Sequence, residues 1–238
     1  MTADALGGQV PAAAVLAGGL GTRLRPVVSD RPKILASVGG RPFVTRLLDQ
    51  LAAAGINTVV LCTGHLGHQV ETALGSRYHG VTLGYSLERT ALGTGGALRQ
   101  ALGQLGSDPV IAMNGDSYCH ADLADLIRQH RSRGADVTMV VVEVPDAGRF
   151  GSVMLDGEDR IVGFAEKAAG AGPGWVNAGI YVLNRAQVEA IPAGQAVSLE
   201  RQLLPSWLSG RIFGYRTQGP FIDIGTPESH ASAEEFFG

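Results

Sequence analysis

Arg23, Arg25 and Lys33 stand in or just after the segment Leu16-Ala-Gly-Gly-Leu-Gly-Thr-Arg-Leu-Arg-Pro26, which follows the apolar run Ala12 to Val15. A strand opening into such a loop offers a polyphosphate two things: backbone N–H groups with no side chain in the way, and fixed cations. A P-loop ends in Gly-Lys-Ser/Thr and a dinucleotide fingerprint reads G-x-G-x-x-G; Gly18-Gly19-Leu20-Gly21-Thr22-Arg23 matches neither. A glycine pair after a buried strand is more often a tight turn. Three glycines in four residues followed by Thr-Arg point instead to a nucleoside triphosphate.

Carboxylates supply the second half of that chemistry. Asn114-Gly-Asp116 follows the apolar run Pro109–Met113, which places Asp116 at a strand end, although Asn-Gly is also a strong turn signal. Asp223 sits between Ile222 and Ile224, where a carboxylate needs a partner or a metal. Hard oxygen ligands of this kind suit Mg²⁺ bridged to substrate phosphate. Glu88 precedes a second glycine loop, Gly93-Thr94-Gly95-Gly96, by five residues. Taken alone it is an ordinary solvated charge; if that loop wraps a base, its carboxylate accepts from an imino N–H, which guanine and uracil carry and adenine and cytosine lack. Glu166-Lys167 resembles a surface ion pair and Asn177 in Val176-Asn-Ala-Gly-Ile-Tyr181 a turn former. His65 and His68 have helix-face spacing but no third ligand nearby, so a metal site there is not expected.

The elements that must position these residues alternate. Ala12–Leu16, Thr58–Cys62, Leu83–Ser86, Pro109–Met113 and Val137–Val144 read as strands, several apolar throughout, as in a sheet covered on both faces. Residues 41–54 read as a helix with Pro42 in its first turn and Gly55 after its end, and residues 122–133 repeat the scheme up to Gly134. This alternation implies right-handed crossovers, a mostly parallel sheet and ligands at the carboxyl ends of the strands. After Pro145 the pieces shorten: Ser152–Leu155, Ile161–Phe164 and Trp175–Leu183 read as strands of a mixed-sheet extension. Ser198 to Leu208 reads as a helix, Arg211–Thr217 as a strand, and a last helix starts near Pro227.

With 238 residues, 45% of them hydrophobic, and a net charge of -3, the chain has ample core and no basic surface for nucleic acid. No apolar run is long enough to span a membrane and Met1 to Gln9 has no secretory pattern, so a cytoplasmic protein with no membrane partner is expected. Cys62 and Cys119 lack C-x-x-C spacing and are expected to be reduced structural thiols. Trp175 and Trp207 are expected to pack. Phe236-Phe237 suits either a homodimer interface or the chain's own core.

Taken in order, Leu16 to Pro26, Pro32-Lys33, Leu92 to Ala97, Asn114-Gly-Asp116, Glu166-Lys167, Val176 to Tyr181, Ser198-Leu-Glu200 and Phe221 to Glu228 resemble the sugar-1-phosphate nucleotidylyltransferases over nearly the whole chain. Within them, the short length and Val27-Val-Ser-Asp-Arg-Pro-Lys33 most resemble the D-glycero-α-D-manno-heptose 1-phosphate guanylyltransferases, without the β-helix extension of longer relatives. The resemblance implies a Rossmann-like, doubly wound α/β fold with a mostly parallel mixed sheet. It implies a single domain over residues 1–238, with residues 10–145 binding the nucleotide and 146–238 supplying the sugar-phosphate part and the C-terminal helix.

It also implies roles. Leu16, Ala17, Gly18, Gly19, Gly21, Thr22, Arg23 and Lys33 would hold the nucleotide; Glu88, Gly93 and Thr94 would meet its base side; Asp116 and Asp223 would hold Mg²⁺. Asn114, Glu166, Lys167, Asn177 and Gly179 would bind the sugar phosphate. The implied catalytic set is Arg23, Lys33, Asp116, Lys167 and Asp223. Ser117 departs from the Thr or acidic residue common in relatives, and Ile34-Leu35 from their Pro-Met. The implied reaction is attack of a sugar-1-phosphate oxygen on the α-phosphorus of GTP, with pyrophosphate leaving, by positioning and charge neutralisation. Mannose 1-phosphate with GTP, a UTP-dependent reaction, and a non-catalytic sugar-nucleotide sensor on the same fold are the competing readings.

Overall fold

The computed structural model describes residues 8–19, 21–24, 26–166 and 172–238. Among them the strands are β1 (Ala13–Ala17), β2 (Ser37–Val38), β3 (Arg41–Pro42), β4 (Thr58–Thr63), β5 (Arg77–Tyr78), β6 (Val81–Leu87), β7 (Val110–Asn114), β8 (Ser117–Cys119), β9 (Val137–Val144), β10 (Ser152–Leu155), β11 (Ile161–Ala165), β12 (Gly174–Leu183), β13 (Ile212–Thr217) and β14 (Phe221–Asp223). The α-helices are α1 (Val44–Ala53), α2 (Gly67–Leu74), α3 (Gly93–Ala101), α4 (Leu123–Ser132), α5 (Arg185–Glu189), α6 (Leu204–Ser206) and α7 (Pro227–Phe237).

Eight strands form the main sheet in the order β13-β9-β12-β7-β1-β4-β6-β5. Because strand side chains alternate in direction, β1 splits between two cores: Ala13 and Val15 face one, Ala14 and Leu16 the other. The first core is closed by Leu47, Leu48 and Leu51 of α1 and Leu126 and Ile127 of α4. The second is closed by Leu98 and Ala101 of α3 and Val188 of α5. That is the doubly wound, mixed α/β arrangement expected, and it explains why strands buried on both sides read as continuous apolar runs.

Three details differ from expectation. β12 does not extend the sheet; it runs antiparallel between β7 and β9 at its centre, leaving β10 and β11 as a separate pair. Pro42 is not in a helix: it lies in β3, paired with Ser37, a short edge position that tolerates the missing N–H. Residues 198–208 are helical only in part, as a π-helical turn over Leu199–Leu203 followed by α6.

Strands β7, β1, β4 and β6 are mutually parallel and end together, since Leu16 pairs with Asn114, Ala17 with Thr63, and Thr63 with Leu87. The chain winds outward from β1 through β4 to β6 and then returns to β7 on the other side of β1. This reversal opens a crevice at the carboxyl ends of β1 and β7.

Candidate active site

A cleft of about 480 Å³ occupies that crevice. Its first wall is the loop after β1. There Leu24, 1% exposed, anchors a turn in which its N–H donates to Gly21 O at 3.0 Å, leaving Thr22 and Arg23 exposed at the mouth. Gly21 has φ +60°, a conformation that favours glycine. Lys33 opens a single 3₁₀ turn whose Ile34 and Leu35 are buried, so the turn is pinned and the lysine points into the cleft.

The floor follows β7. Gly115 N–H donates to Leu16 O at 2.9 Å and turns the chain so that Asp116 enters the cleft, where its Oδ2 accepts from Lys33 Nζ at 2.7 Å. Strand β14 pairs with β8, setting Asp223 opposite Ser117, and Ile224 N–H donates to Asp116 O at 2.9 Å. The backbones that carry Asp116 and Asp223, distant in sequence, are therefore adjacent, although Asp223 itself is not part of the cleft lining. A Cβ built on Gly225 would come within 2.8 Å of Asp223 Oδ1, 3.6 Å of Arg23 Nη2 and 3.8 Å of Lys33 Nζ, so both cations and this carboxylate converge on a spot only glycine leaves open.

Whether a divalent cation fits can be read from these oxygens. Asp223 Oδ1 accepts from Gly225 N–H and Ser229 Oγ, while Oδ2 has no partner among the described residues, and neither has Asp116 Oδ1. No group of three or more His, Cys, Asp or Glu side chains placed to hold a metal ion occurs among the described residues. Two carboxylate oxygens fit a cation that takes its remaining ligands from water and phosphate, as Mg²⁺ commonly does.

The opposite wall carries Glu88, whose Oε2 accepts from Leu92 N–H at 2.9 Å and whose burial lifts its pKa above the ordinary glutamate value. A Cβ on Gly18 would lie 1.9 Å from Glu88 Oε1, so glycine there admits the carboxylate against the loop after β1. The second glycine motif has a different basis from the one expected. Gly93 to Gly96 is the first turn of α3, and its glycines make room for another segment: a Cβ on Gly93 would meet Val197 O at 2.6 Å and one on Gly96 would meet Gln195 O at 2.4 Å. Gly95 N–H donates to Val197 O at 2.9 Å.

That close contact brings in Glu200, which sequence reasoning placed only within a motif. Its Oε2 accepts from Thr94 Oγ1 at 2.6 Å and Ser198 Oγ at 3.2 Å, and its Oε1 from the Tyr181 hydroxyl at 3.4 Å. Glu200 lines the cleft and has no ion pair among the described residues. Tyr181 is wholly buried, which raises its pKa far above that of a free phenol and keeps it a neutral hydroxyl. It accepts in turn from Asn177 Nδ2 at 2.7 Å.

Of the expected site residues, Leu16, Ala17, Gly18, Gly19, Gly21, Thr22, Arg23, Lys33, Glu88, Gly93, Thr94, Asn114 and Asp116 all line the cleft. Asn177 and Gly179 do not; they build a bulge in β12, with Gly179 at φ +77° donating its N–H to Asn177 Oδ1 at 2.8 Å. Gly179 lies beneath Asn114, whose side chain a Cβ at 179 would approach to 3.0 Å. Glu166 is exposed at the end of β11 and is not part of the cleft lining. Lys167 lies outside the described residues. Cys62 and Cys119 are free and buried, their thiols pushed up to about 12 by burial, as inert structural residues are.

Comparison with known proteins agrees with this geometry. The mannose-1-phosphate guanylyltransferase of Mycobacterium tuberculosis is 42% identical over 91% of this chain, which spans 61% of that protein's length. The D-glycero-alpha-D-manno-heptose 1-phosphate guanylyltransferase of Aneurinibacillus thermoaerophilus is 35% identical over 94% of this chain and 96% of its own. The crystal structure of HddC from Yersinia pseudotuberculosis, complexed with GMP-PN, superposes with a TM-score of 0.85 at 31% identity, over 96% of this chain and 100% of that one. The nucleotidyl transferase family model matches residues 12–237, and the chain belongs to that family.

Proposed function

We propose that the chain transfers GMP from GTP to a sugar 1-phosphate, D-glycero-α-D-manno-heptose 1-phosphate, releasing pyrophosphate. The observation that carries the reaction class is the joining in one cleft of a glycine loop, Arg23, Lys33 and Asp116, with Asp223 alongside and no serine, cysteine or histidine among the described lining residues. Such an inventory suits positioning and charge neutralisation, so the reaction proposed is direct in-line attack of the sugar 1-phosphate oxygen on the α-phosphorus.

Each residue then has a task. The Gly18, Gly19 and Gly21 backbone, Arg23 and Lys33 hold the triphosphate, and Lys33 faces the charge that builds on the leaving pyrophosphate. Glu88 accepts from guanine N1–H and N2–H₂. Gly93 and Thr94 stay on the base side; Asn114 and Glu200 face the sugar, with Tyr181 and Asn177 bracing Glu200 from behind; Lys167 and Glu166 are assigned to the sugar phosphate side. A phosphate monoester with a second pKa of about 6 is already largely dianionic at neutral pH, so no general base is required. A divalent cation held by Asp116 and Asp223 would offset the charge on the α-phosphate and the reacting oxygens. Residues 10–145 supply the nucleotide half and residues 146–238 the sugar half of one domain, acting in the cytoplasm.

The end-to-end match to the heptose 1-phosphate enzyme favours heptose, whereas the 42% identity to the mycobacterial protein favours mannose 1-phosphate. Pyrophosphate release with Mg²⁺ across four nucleoside triphosphates and heptose, mannose, glucose and N-acetylhexosamine 1-phosphates separates them. Release confined to GTP with the manno-heptose supports the reading; release with another pair changes the substrate, and silence throughout removes the reaction.

A further inference from the structure

Helix α7 starts at Thr226-Pro-Glu-Ser229 with a reciprocal cap: Thr226 Oγ1 accepts from Ser229 N–H at 3.2 Å, and Ser229 Oγ accepts from Thr226 N–H at 3.0 Å. The third helical position of such a box is usually Glu or Gln. A serine there retains something a glutamate lacks, a proton to give. The hydroxyl has one proton and two lone pairs, and Thr226 N–H takes a lone pair. Thr226 Oγ1 donates to the other at 3.3 Å, and two acceptors lie within reach of the proton: Asp223 Oδ1 at 2.9 Å and Thr226 O at 3.3 Å. The charged and nearest one takes it.

Both donors to Asp223 therefore converge on the same oxygen, since Gly225 N–H also reaches Oδ1, at 2.7 Å. Oδ2 is left without a partner among the described residues, on a strand whose next residue, Ile224, donates its N–H to Asp116 O in the turn before β8. Ser229 is 8% exposed, so solvent does not readily replace its hydroxyl. We propose that Ser229 is a positioning residue that fixes Asp223 as a one-oxygen ligand, making the cap of α7 part of the cation site. The inference rests on the reading of Asp223 as a cation ligand.

Mn²⁺ binding to the full chain with a non-hydrolysable GTP analogue, followed by electron paramagnetic resonance, tests both. Loss of a partner that orients a metal ligand commonly costs 10- to 100-fold in metal affinity. Ser229→Ala is expected to weaken Mn²⁺ binding at least about tenfold and to raise the Mg²⁺ half-saturation of turnover by the same factor. Ser229→Thr, which keeps the hydroxyl, is expected to restore both. Thr226→Ala removes the other half of the cap and lowers the melting temperature, yet keeps wild-type Mn²⁺ affinity. Should Ser229→Ala not fold, Ser229→Cys, with a weak donor in nearly the same volume, gives the same readout. Undiminished Mn²⁺ binding in Ser229→Ala or in its replacement Ser229→Cys, or an equal loss in Thr226→Ala, overturns the role of Ser229 alone. A wild-type protein that binds no Mn²⁺ with the nucleotide overturns the assignment of Asp223 and this inference with it.

Discussion

Lys33 Nζ donates to Asp116 Oδ2 at 2.7 Å, a contact made across 83 residues of chain between a side chain 12% exposed and one 46% exposed. Each has a second task in the proposed reaction: Lys33 toward phosphate, Asp116 toward a cation. The pair thus keeps two strongly charged groups in place until ligands separate their charges. Lys33→Met is expected to lower kcat by about 10² or more, the usual cost of removing one group that stabilises transition-state charge. It should also raise Mn²⁺ affinity in the absence of nucleotide, because Asp116 is freed. Asp116→Asn, which retains an oxygen for Lys33, should lose turnover at least as severely while melting within a few degrees of wild type. Comparison of the three proteins by steady-state kinetics, Mn²⁺ titration and thermal melts checks the pair; a Lys33→Met enzyme within tenfold of wild type contradicts it.

The glycine contact between α3 and residues 195–199 carries the second expectation. Gly96→Ala would set a Cβ 2.4 Å from Gln195 O, a backbone atom that cannot rotate away. Overpacking of this kind costs about 1–3 kcal/mol. Because the same contact seats Glu200 against Thr94, the variant should also raise KM for the sugar phosphate more than KM for GTP. Gly103→Ala is the control: nothing lies within 4 Å of its built Cβ, so melting temperature and both KM values should hold.

The wall of the cleft built by the loop after β1 was legible in the sequence because it is local. A strand, its glycine loop and its cations are contiguous from Ala12 to Lys33, and the parallel strands announce themselves as apolar runs. The wall built by α3 and residues 195–200 was not, because its logic is between segments. Gly93 to Gly96 resembles a ligand loop, yet most of its glycines answer to the backbone of residues 195–197. Glu200 resembles an exposed residue of a helical turn until Thr94 and Tyr181 are brought to it. The central position of β12 is likewise invisible locally: its apolar residues suit any covered sheet, and only pairing with both β7 and β9 selects the middle.

Glu88 provides a test of base selection. A carboxylate can accept from both N1–H and N2–H₂ of guanine but from only one N–H of uracil, so Glu88→Gln should penalise GTP more than UTP. Loss of a charge-assisted bond is worth about 1.5–3 kcal/mol, or roughly 10- to 100-fold in kcat/KM for GTP. Burial raises the pKa of Glu88, so its carboxylate takes a proton at a higher pH than an ordinary glutamate. On acidification KM for GTP should therefore rise before general acid effects set in, and Glu88→Gln should lose that early rise. Parallel pH profiles with wild-type and variant enzyme decide the point; superimposable curves would assign base recognition elsewhere.

His130 links acidity to stability rather than to catalysis. It is 1% exposed in α4, with Nδ1 2.9 Å from Thr138 Oγ1 and Nε2 3.1 Å from Asn184 Oδ1. Asn184 Nδ2 donates to Ala135 O, which holds the amide oxygen toward the ring; Nε2 therefore carries the proton and Nδ1 accepts from Thr138. Burial depresses the pKa of this ring, and nearby Arg131 adds to the effect, outweighing the Asn184 acceptor and the more distant Asp108 and Asp136. The unfolded chain, with a histidine pKa of about 6.5, then binds more protons than the folded one between the two pKa values. Stability is therefore full above about pH 6.5 and is lost as pH falls toward the folded value. His130→Gln removes this titration, so the melting-temperature gap between wild type and variant should narrow from pH 7.5 to pH 5.5. The ring's partner Asn184 follows Leu183, which pairs with Val110 at the start of β7, whereas the cleft lies at the end of that strand, so the pH dependence of kcat should be the same in both proteins. A gap that is constant with pH would mean that the ring's protonation is not linked to folding.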